Sequence, residues 1–318
     1  MVRPGLLVLV IAFVLAGCNL ASSPPAPTDT PVPAQLGLTC GQLVSQAVQA
    51  IGQACNDMGR NQACYGNYLV DAQFKQDVQQ AFAAAGDLAA LQGIQLISTS
   101  PFDELQQTWG VALMKAQANL PDSLPGQNLT FLLYGGAVAD SVTPRMEAVI
   151  LSTGFGAATC SDAPASAALL QSPDGTQVSL NINGADLILG STLHLTAVAN
   201  QELIIATIEG EALVSAFGVT RIVPAGAQVR LPLGSTDGLV VVGPPSEIEP
   251  FDLNVIQRAP LELLPDRVLI PAPILPTPTE TPTIAPLPIT PTLPPLIIPL
   301  PPTALPPVCF PRTDWVYT

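Results

Sequence analysis

Cys18 is the residue of this 318-residue chain whose chemistry is clearest from its surroundings. It directly follows Leu15, Ala16 and Gly17, which end an apolar run that has a single basic residue, Arg3, near its start. A basic start, a short apolar run and small residues before a cysteine are typical of a secretory signal that is removed. The thiol at such a place is an acceptor for acyl chains. We therefore expect cleavage before Cys18 and a mature N-terminus that carries lipid.

Leu15, Ala16, Gly17 and Cys18 together resemble the lipobox of bacterial lipoproteins. The resemblance implies that residues 1–17 are a signal peptide and that the mature protein is extracytoplasmic, anchored by lipid to a bacterial membrane in the cell envelope. A transmembrane helix is disfavoured, because spanning a bilayer takes about 20 apolar residues and the apolar run before Cys18 is shorter than that. An ordinary signal peptide with an incidental cysteine is the alternative, and it predicts a mature protein without a lipid anchor.

The charge balance excludes partners that are recognised through their phosphates. Removing residues 1–17 takes away Arg3 and no acidic residue, so the formal charge changes from −14 to −15. Nucleic-acid-binding surfaces need lysine and arginine to neutralise phosphate, and anionic lipids attract basic segments for the same reason. We therefore predict contact with a membrane through the N-terminal lipid, and no nucleic-acid partner.

Four further cysteines lie in the part of the chain that we expect to fold, and export permits them to form disulfides. They are Cys40, Cys55, Cys64 and Cys160. If residues 40–55 form one helix, its ends are about 22 Å apart, whereas a disulfide needs Cα atoms within about 7 Å. This excludes pairing of Cys40 with Cys55. Pairing of Cys55 with Cys64 is preferred because it closes the short turn over residues 56–61, and it leaves Cys40 for Cys160. The alternative joins Cys40 to Cys64 and Cys55 to Cys160.

The other patterns that could carry chemistry are incomplete. His194 is the only histidine, so neither a metal site with several histidines nor a Ser-His-Asp triad is indicated. Alternation along its strand predicts that its side chain is solvated. Gly154 and Gly156 begin a pattern like that of a dinucleotide-binding loop, but the third glycine is missing, which favours a plain turn. The cysteines match no zinc spacing, and we predict no metal and no cofactor.

Two pairs of acidic residues are the candidates for hydrolytic chemistry, because glycoside hydrolysis uses paired carboxylates. Asp103 and Glu104 form one pair, and Glu247 and Glu249 form the other. Each pair lies close to a proline in a predicted loop, where acidic side chains are ordinarily solvated. We therefore predict no catalytic residues, and a carboxylate-dependent hydrolase is the least favoured function.

The first elements along the chain predict a disulfide-linked α+β unit over residues 38–162. A tether over residues 18–37, rich in proline, serine and threonine, leads to it. Thr39 and Gln42 have the spacing of a capping box and an apolar stripe follows them, so a helix should begin there. Residues 71–85 show a second helical pattern. The pattern then changes to β-rich segments at 94–97, 110–118, 129–134 and 146–152.

Residues 163–250 predict an all-β domain, built as a sandwich or a β-solenoid. Asn183 and Gly184 separate two short strand patterns and are a strong signal for a two-residue hairpin, because both residues tolerate positive φ. The expected strands of this domain are 178–182, 185–189, 192–199, 203–209, 212–217, 220–223 and 228–231.

Glycine turns and alternating apolar positions in this domain resemble the FecR-type periplasmic β domain. The residues that carry the resemblance are 190–195, 208–214 and 223–229. In that family the domain passes signals from an outer receptor to a membrane-spanning anti-sigma protein. This chain departs from the family, because it shows no cytoplasmic helical region and no spanning helix. The resemblance therefore predicts the fold rather than the regulatory role.

Proline dominates the end of the chain, where residues 251–308 are predicted to be a disordered Pro/Thr-rich linker. Residues 260–311 contain 18 prolines, which exclude a stable helix and favour an extended arm. Residues 309–318 resemble the lead-in to a LysM repeat, which implies a C-terminal module that is truncated here and binds N-acetylglucosamine glycans. Cys309 is unpaired in this scheme, and its partner is expected in that module.

These elements together predict an α+β fold class, with an N-terminal helix and β unit, an all-β FecR-like domain and proline-rich linkers. They also predict a non-enzymatic, lipid-anchored lipoprotein of the bacterial envelope. Its expected role is to present its β domains and its arm for binding to peptidoglycan or to an envelope protein. An envelope sensor or ligand-binding subunit is the alternative, with a ligand held in the β domain or between the two domains.

Overall fold

The computed structural model describes most of residues 39–275. Its description leaves out residue 79, residues 118–128, residues 142–146, residues 174–175 and residue 191. The predicted signal peptide, Cys18 and the tether therefore lie outside the described residues, as do Cys309 and everything from residue 276 onward. Among the helices that are described, none combines the length and the apolar character that crossing a membrane requires.

The first element is α1, which spans Cys40–Ala54 and begins where the sequence predicts. The hydroxyl of Thr39 accepts a hydrogen bond from the amide of Gln42, and the amide of Thr39 donates to the side chain of Gln42. This capping box satisfies amides that a helix start otherwise leaves unpaired. Leu43 and Ile51 are buried, so α1 packs by one face. The other helical elements described are α2, Leu253–Ile256, and two 3-10 turns, Leu91–Gly93 and Leu261–Leu263.

The strands form two sheets, and their bounds are β1 Gln62–Asn67, β2 Val70–Phe74, β3 Leu88–Ala90, β4 Ile94–Thr99, β5 Val111–Ala116, β6 Leu129–Tyr134, β7 Val138–Ser141, β8 Ala148–Ser152, β9 Ala167–Gln171, β10 Val178–Ile182, β11 Ala185–Leu189, β12 Thr192–Ala197, β13 Glu202–Glu209, β14 Glu211–Ala216, β15 Val219–Pro224, β16 Ala227–Gly234, β17 Val240–Val241 and β18 Glu249–Pro250. The first sheet has the order β17-β16-β13-β12-β9-β6-β5-β1-β3, with β18 also paired to β16. The second sheet has the order β15-β14-β11-β10-β8-β7-β4-β2. Among the described strand pairs, only β8 with β10 is parallel.

Both sheets run without a break through the two units that the sequence predicts on either side of residue 162. In the first sheet β6 pairs with β9, which places Leu133 opposite Ala168. In the second sheet β8 pairs with β10, which places Val149 opposite Ile182. The two predicted units therefore share their sheets. Over the described residues the result is a mostly-β fold with two sheets and one long helix.

The main core lies between the two sheets, which pack face to face. Met114 and Leu195 enter it from the first sheet, and Ile97 and Leu187 enter it from the second. A second core covers the opposite face of the first sheet, where α1 and the segment after β18 pack. The central strands of the first sheet are thus buried on both faces. This explains why β6 and β9 are continuous buried runs rather than alternating ones.

The predicted helix over residues 71–85 is wrong. The structure places strand β2 there, and β2 pairs with β4 so that Ala72 lies opposite Ile97. Val70 and Ala72 contact the main core, whereas Asp71 between them is exposed. The apolar positions therefore follow the two-residue period of a strand, and pairing with β4 prevails over the helical spacing of the downstream residues.

The strands predicted elsewhere are confirmed in their positions, with ends that differ by a few residues. Strands β6, β10 and β11 have the predicted bounds. Asn183 and Gly184 form the turn between β10 and β11, with φ angles of 54° and 89°. Strands β1 and β9, like the short strands β3, β7, β17 and β18, have no counterpart among the predicted segments.

Two disulfides join α1 to the rest of the domain. Cys40 is bonded to Cys160 with a Cα–Cα distance of 6.3 Å, and Cys55 is bonded to Cys64 with a Cα–Cα distance of 5.8 Å. This is the preferred pairing of the two that the sequence left open. Each end of α1 is therefore fixed by a covalent bond, one to the loop after β8 and the other to β1.

The segment after β18 packs over the outer face of the first sheet. Phe251, Ile256, Leu263 and Leu264 are buried there. Further along, the amide of Asp266 donates to the side chain of Gln171 at 2.9 Å. The prediction that residues 251–264 belong to a disordered linker is therefore wrong. These residues are part of the folded domain, because their apolar side chains cover one face of the first sheet.

Candidate functional site

A pocket of about 200 Å³ lies on the outer face of the first sheet, where the segment that contains α2 crosses it. Its floor consists of two cross-strand rows on β12, β13 and β16. One row is His194, Ala206 and Gln228, and the other is Thr196, Ile204 and Arg230. Its other lining residues are Ala165, Asp252, Val255 and Ile256. The pocket exists because the register of three antiparallel strands aligns these side chains and the α2 segment encloses them.

His194 is the most unusual member of the pocket. Its side chain is only 4% exposed, and no hydrogen bond joins its imidazole to any residue in the described part of the chain. Burial lowers the pKa of His194 to about 4. The ring is therefore neutral at neutral pH, with one nitrogen that can donate a hydrogen bond and one that can accept. Because His194 lines the pocket, these nitrogens are suited to a partner that enters it.

The prediction that His194 is solvated is wrong. Alternation does place it on the same face as Thr196, which also lines the pocket. That face is covered, however, by the α2 segment, including Ile256. Burial of His194 thus depends on residues about 60 positions downstream in the sequence, and strand periodicity alone carries no information about them.

A network of charged residues fixes the wall of the pocket beside His194. The guanidinium of Arg230 donates to the carboxylate of Glu202 at 2.5 Å and also to that of Glu249. The side-chain amide of Gln228 donates to the carboxylate of Glu249 at 2.7 Å. The hydrogen bond to Glu249 raises the pKa of Arg230, and the pair with Glu202 raises it further. Burial acts to raise the pKa of Glu249, but the bonds from Gln228 and Arg230 lower it overall. Arg230 is therefore held as a paired cation.

Three of the four acidic residues considered for hydrolysis have partners for their carboxylates in the structure, and the backbone amide of the fourth, Glu104, donates to the hydroxyl of Thr159. Glu247 pairs with Arg221, and Glu249 belongs to the Arg230 network. Asp103 accepts hydrogen bonds from the amides of Leu105 and Gln106 at 2.9 and 3.0 Å, so it caps a turn in the β4–β5 loop. The two acidic pairs thus lie in separate parts of the fold. In the described part of the chain, no group of three His, Cys, Asp or Glu residues is placed to hold a metal ion.

A second pocket, of about 380 Å³, adjoins the first and shares Ala165 and Thr196 with it. Gly154 and Gly156 line this second pocket and have φ angles of 87° and 78°. Both angles lie in the region that favours glycine, which agrees with a turn at this motif. The glycines and the small residues around them leave an open, mostly apolar surface next to the His194 pocket.

The combined lining indicates which ligands the His194 pocket suits. Ile204, Ala206, Val255 and Ile256 supply apolar walls, while a neutral imidazole and an amide supply hydrogen bonds. Ligand pockets commonly measure about 300–1,000 Å³, so this one suits a small molecule or one group of a larger ligand. The sequence offered one signal for this site, which is the presence of a single histidine within an otherwise apolar strand.

Comparisons with known proteins show little similarity. No protein-family model matches the chain, and no curated protein matches it. Two crystal structures of a putative anti-sigma factor from Parabacteroides distasonis ATCC 8503 match with a TM-score of 0.28 and with 10% and 11% sequence identity. Each match covers 45% of this chain, and the chain spans 56% of the length of that protein. Similarity at this level identifies neither a family nor a function.

Proposed function

We propose that this chain is a non-enzymatic lipoprotein of the bacterial cell envelope, anchored by lipid on Cys18. In this proposal the folded domain and the proline-rich arm are presented to peptidoglycan or to an envelope protein. The observation that carries the proposal is the Cys40–Cys160 disulfide. Disulfides persist in oxidising compartments outside the cytoplasm, and this one fixes the point where the predicted tether meets the fold.

The anchor is tested by fractionation of Cys18→Ser beside the unchanged chain. We expect the unchanged chain in the membrane fraction with acyl chains on Cys18 by mass spectrometry, and the variant in the soluble fraction. Two or three acyl chains anchor firmly because each buried methylene contributes about 0.8 kcal/mol. Cys309→Ser is the matched control, since it removes a thiol without touching the signal. A Cys18→Ser chain that still pellets with membranes would contradict the proposal.

The FecR-like character of residues 163–250 and the LysM-like character of residues 309–318 belong to this proposal as predictions. They lead us to expect that the chain binds purified cell wall. A chain shortened to residues 18–275 is the comparison, because it keeps the described domain and lacks the arm. Binding by the longer chain alone would support a role for the arm, whereas absence of wall binding by both would count against peptidoglycan as the partner.

A ligand-binding subunit is the second candidate function, and the unpaired imidazole of His194 inside a pocket favours it. A ligand at 100 times its Kd stabilises a protein by about 2.7 kcal/mol, which a thermal unfolding assay detects. Small glycans, siderophores and short peptides are the compounds to screen. His194→Leu is the matched variant, because it keeps the apolar packing and removes both hydrogen-bonding nitrogens. A compound that stabilises both forms equally does not use this pocket.

A further inference from the structure

Four exposed apolar side chains lie in three loops at one end of the domain. They are Tyr68 and Leu69 in the β1–β2 turn, Leu105 in the β4–β5 loop and Phe155 in the loop after β8. Their exposed fractions are 63%, 53%, 92% and 52%. We call these four residues the apolar tip. Single exposed apolar residues are common, but four of them in adjoining loops form a patch of the kind that marks an interaction surface.

The loops of the apolar tip are packed against one another. The amide of Ser100 donates to the carbonyl of Leu69 at 3.1 Å, and the amide of Phe155 donates to the carbonyl of Gly136 at 3.1 Å. A Cβ added to Gly136 would lie 2.1 Å from the carbonyl oxygen of Phe155, so the backbones approach too closely for any other residue. Leu69 has a φ of 63°, a conformation that bulky residues rarely adopt. The tip is therefore a fixed surface.

The turn that carries Leu105 is also rigid. Asp103 and Thr108 exchange backbone hydrogen bonds of 2.8 and 3.1 Å, which closes the loop like a short hairpin. Within it, the carboxylate of Asp103 accepts the amides of Leu105 and Gln106. Leu105 lies at the outermost part of this turn and is 92% exposed. Its side chain is therefore held out from the domain by a defined backbone.

The predicted tether enters the domain beside this tip. The amide of Thr159 donates to the carbonyl of Phe102 at 3.0 Å, and its hydroxyl accepts the amide of Glu104 at 2.7 Å. The next residue, Cys160, is bonded to Cys40. The chain that arrives from Cys18 therefore joins the fold next to the Leu105 turn. The intervening residues reach about 65 Å when extended at 3.1 Å each, so the tip can meet the surface that holds the anchor.

We propose that the apolar tip seats in the interfacial layer of the membrane to which Cys18 is anchored. Leucine, phenylalanine and tyrosine are the side chains that enter this layer, and a tethered surface meets it at high effective concentration. Asp103 and Glu104 border the tip, and the mature chain is strongly acidic. The lipid contacted is therefore electrically neutral rather than anionic. This inference rests on the proposed lipid anchor.

The test uses the full acylated lipoprotein on phosphatidylcholine vesicles, with Phe155→Trp as a fluorescent probe. Its emission is measured as the difference from the unchanged chain, because Trp109 and Trp315 also emit. We expect a blue-shifted emission and quenching by brominated phosphatidylcholine, and we expect weaker quenching when phosphatidylglycerol is added. Leu269→Trp is the matched control. Leu269 is 67% exposed, and its amide donates to Glu209 at the end of β13 that lies away from the tip. Its tryptophan should not be quenched.

A second substitution tests the contribution of the tip itself. Leu105→Asp in the Phe155→Trp chain puts a charge on the most exposed tip residue and should reduce quenching to the level of the Leu269→Trp control. Leu275→Asp, also at a highly exposed leucine, should leave quenching unchanged. If the lipoprotein floats with vesicles but Trp emission at position 155 matches the control, the tip proposal is overturned while the anchor stands. If the protein does not float and carries no acyl chain, the anchor itself is refuted.

Discussion

The two disulfides should stabilise the domain by different amounts, because they close loops of very different length. Cys40 and Cys160 are 120 residues apart, whereas Cys55 and Cys64 are 9 apart. In the chain-entropy description, a cross-link removes entropy from the unfolded chain as the logarithm of loop length. The long loop then contributes about 5 kcal/mol and the short loop about 2.6 kcal/mol at 25 °C. The short loop lies within the long one. Closing the short loop reduces the effective length of the long loop by only a few residues, so the logarithm of the long loop's length hardly changes.

Urea unfolding of two double variants measures this difference. Cys40→Ala with Cys160→Ala should lose about 2.4 kcal/mol more free energy of unfolding than Cys55→Ala with Cys64→Ala. It should also show the larger increase in m-value, because its unfolded chain becomes more expanded. Both variants replace cystine by alanine, so the comparison controls for loss of the side chains.

The burial of the cysteines acts in the opposite direction to loop entropy, so the comparison of the two double variants is a stringent test. Cys64 is fully buried and Cys55 nearly so, whereas Cys160 is partly exposed. Cavity formation on truncation would therefore cost more at the short loop. Equal losses in the two double variants, or a larger loss for Cys55→Ala with Cys64→Ala, would refute the view that loop entropy governs how these disulfides act.

Two further predictions concern buried polar residues. His194 has a folded-state pKa of about 4 against an ordinary value of 6.5, so the unfolded chain binds the proton first as pH falls. The free energy of unfolding should therefore fall by about 3 kcal/mol between pH 6.5 and 4, and His194→Leu should lack this loss in urea titrations at each pH. Asn183 makes three side-chain hydrogen bonds of 2.7–3.0 Å to Leu151 and Leu239, so Asn183→Ala should cost about 3–5 kcal/mol in the same assay. Asn200→Ala, at an exposed residue that also has positive φ, should cost much less.

Much of the local structure follows from the sequence, since its signals act over a few residues. The start of α1 is one case, because the capping box of Thr39 and Gln42 involves only one helical turn. The hairpin at Asn183 and Gly184 is another, because positive φ at two adjacent residues defines that turn. The disulfide pairing was predicted in part from local quantities, because the length of one helix excluded Cys40–Cys55 and the short turn over residues 56–61 favoured Cys55–Cys64.

The burial of His194 was decided only by the tertiary structure. The two-residue period of β12 places the imidazole of His194 on one face of a sheet. Whether that face is exposed to solvent depends on which residues cover it. Apolar residues of the α2 segment cover it, and they come from a part of the chain whose prolines suggested a linker. A pocket therefore forms between elements that are distant in sequence.

Strand pairing between residues distant in sequence explains the other differences between the predicted and the observed elements. Val70 and Ala72 became part of a strand because β4 offered them hydrogen bonds and a shared core. The first sheet continues across residue 162 because β6 pairs with β9, and the second continues because β8 pairs with β10. The sequence by itself determined the turns, the caps and most strand positions, since each depends on neighbouring residues. Tertiary structure decided which strands meet and which faces are covered, since burial and backbone pairing are properties of residues brought together from across the chain.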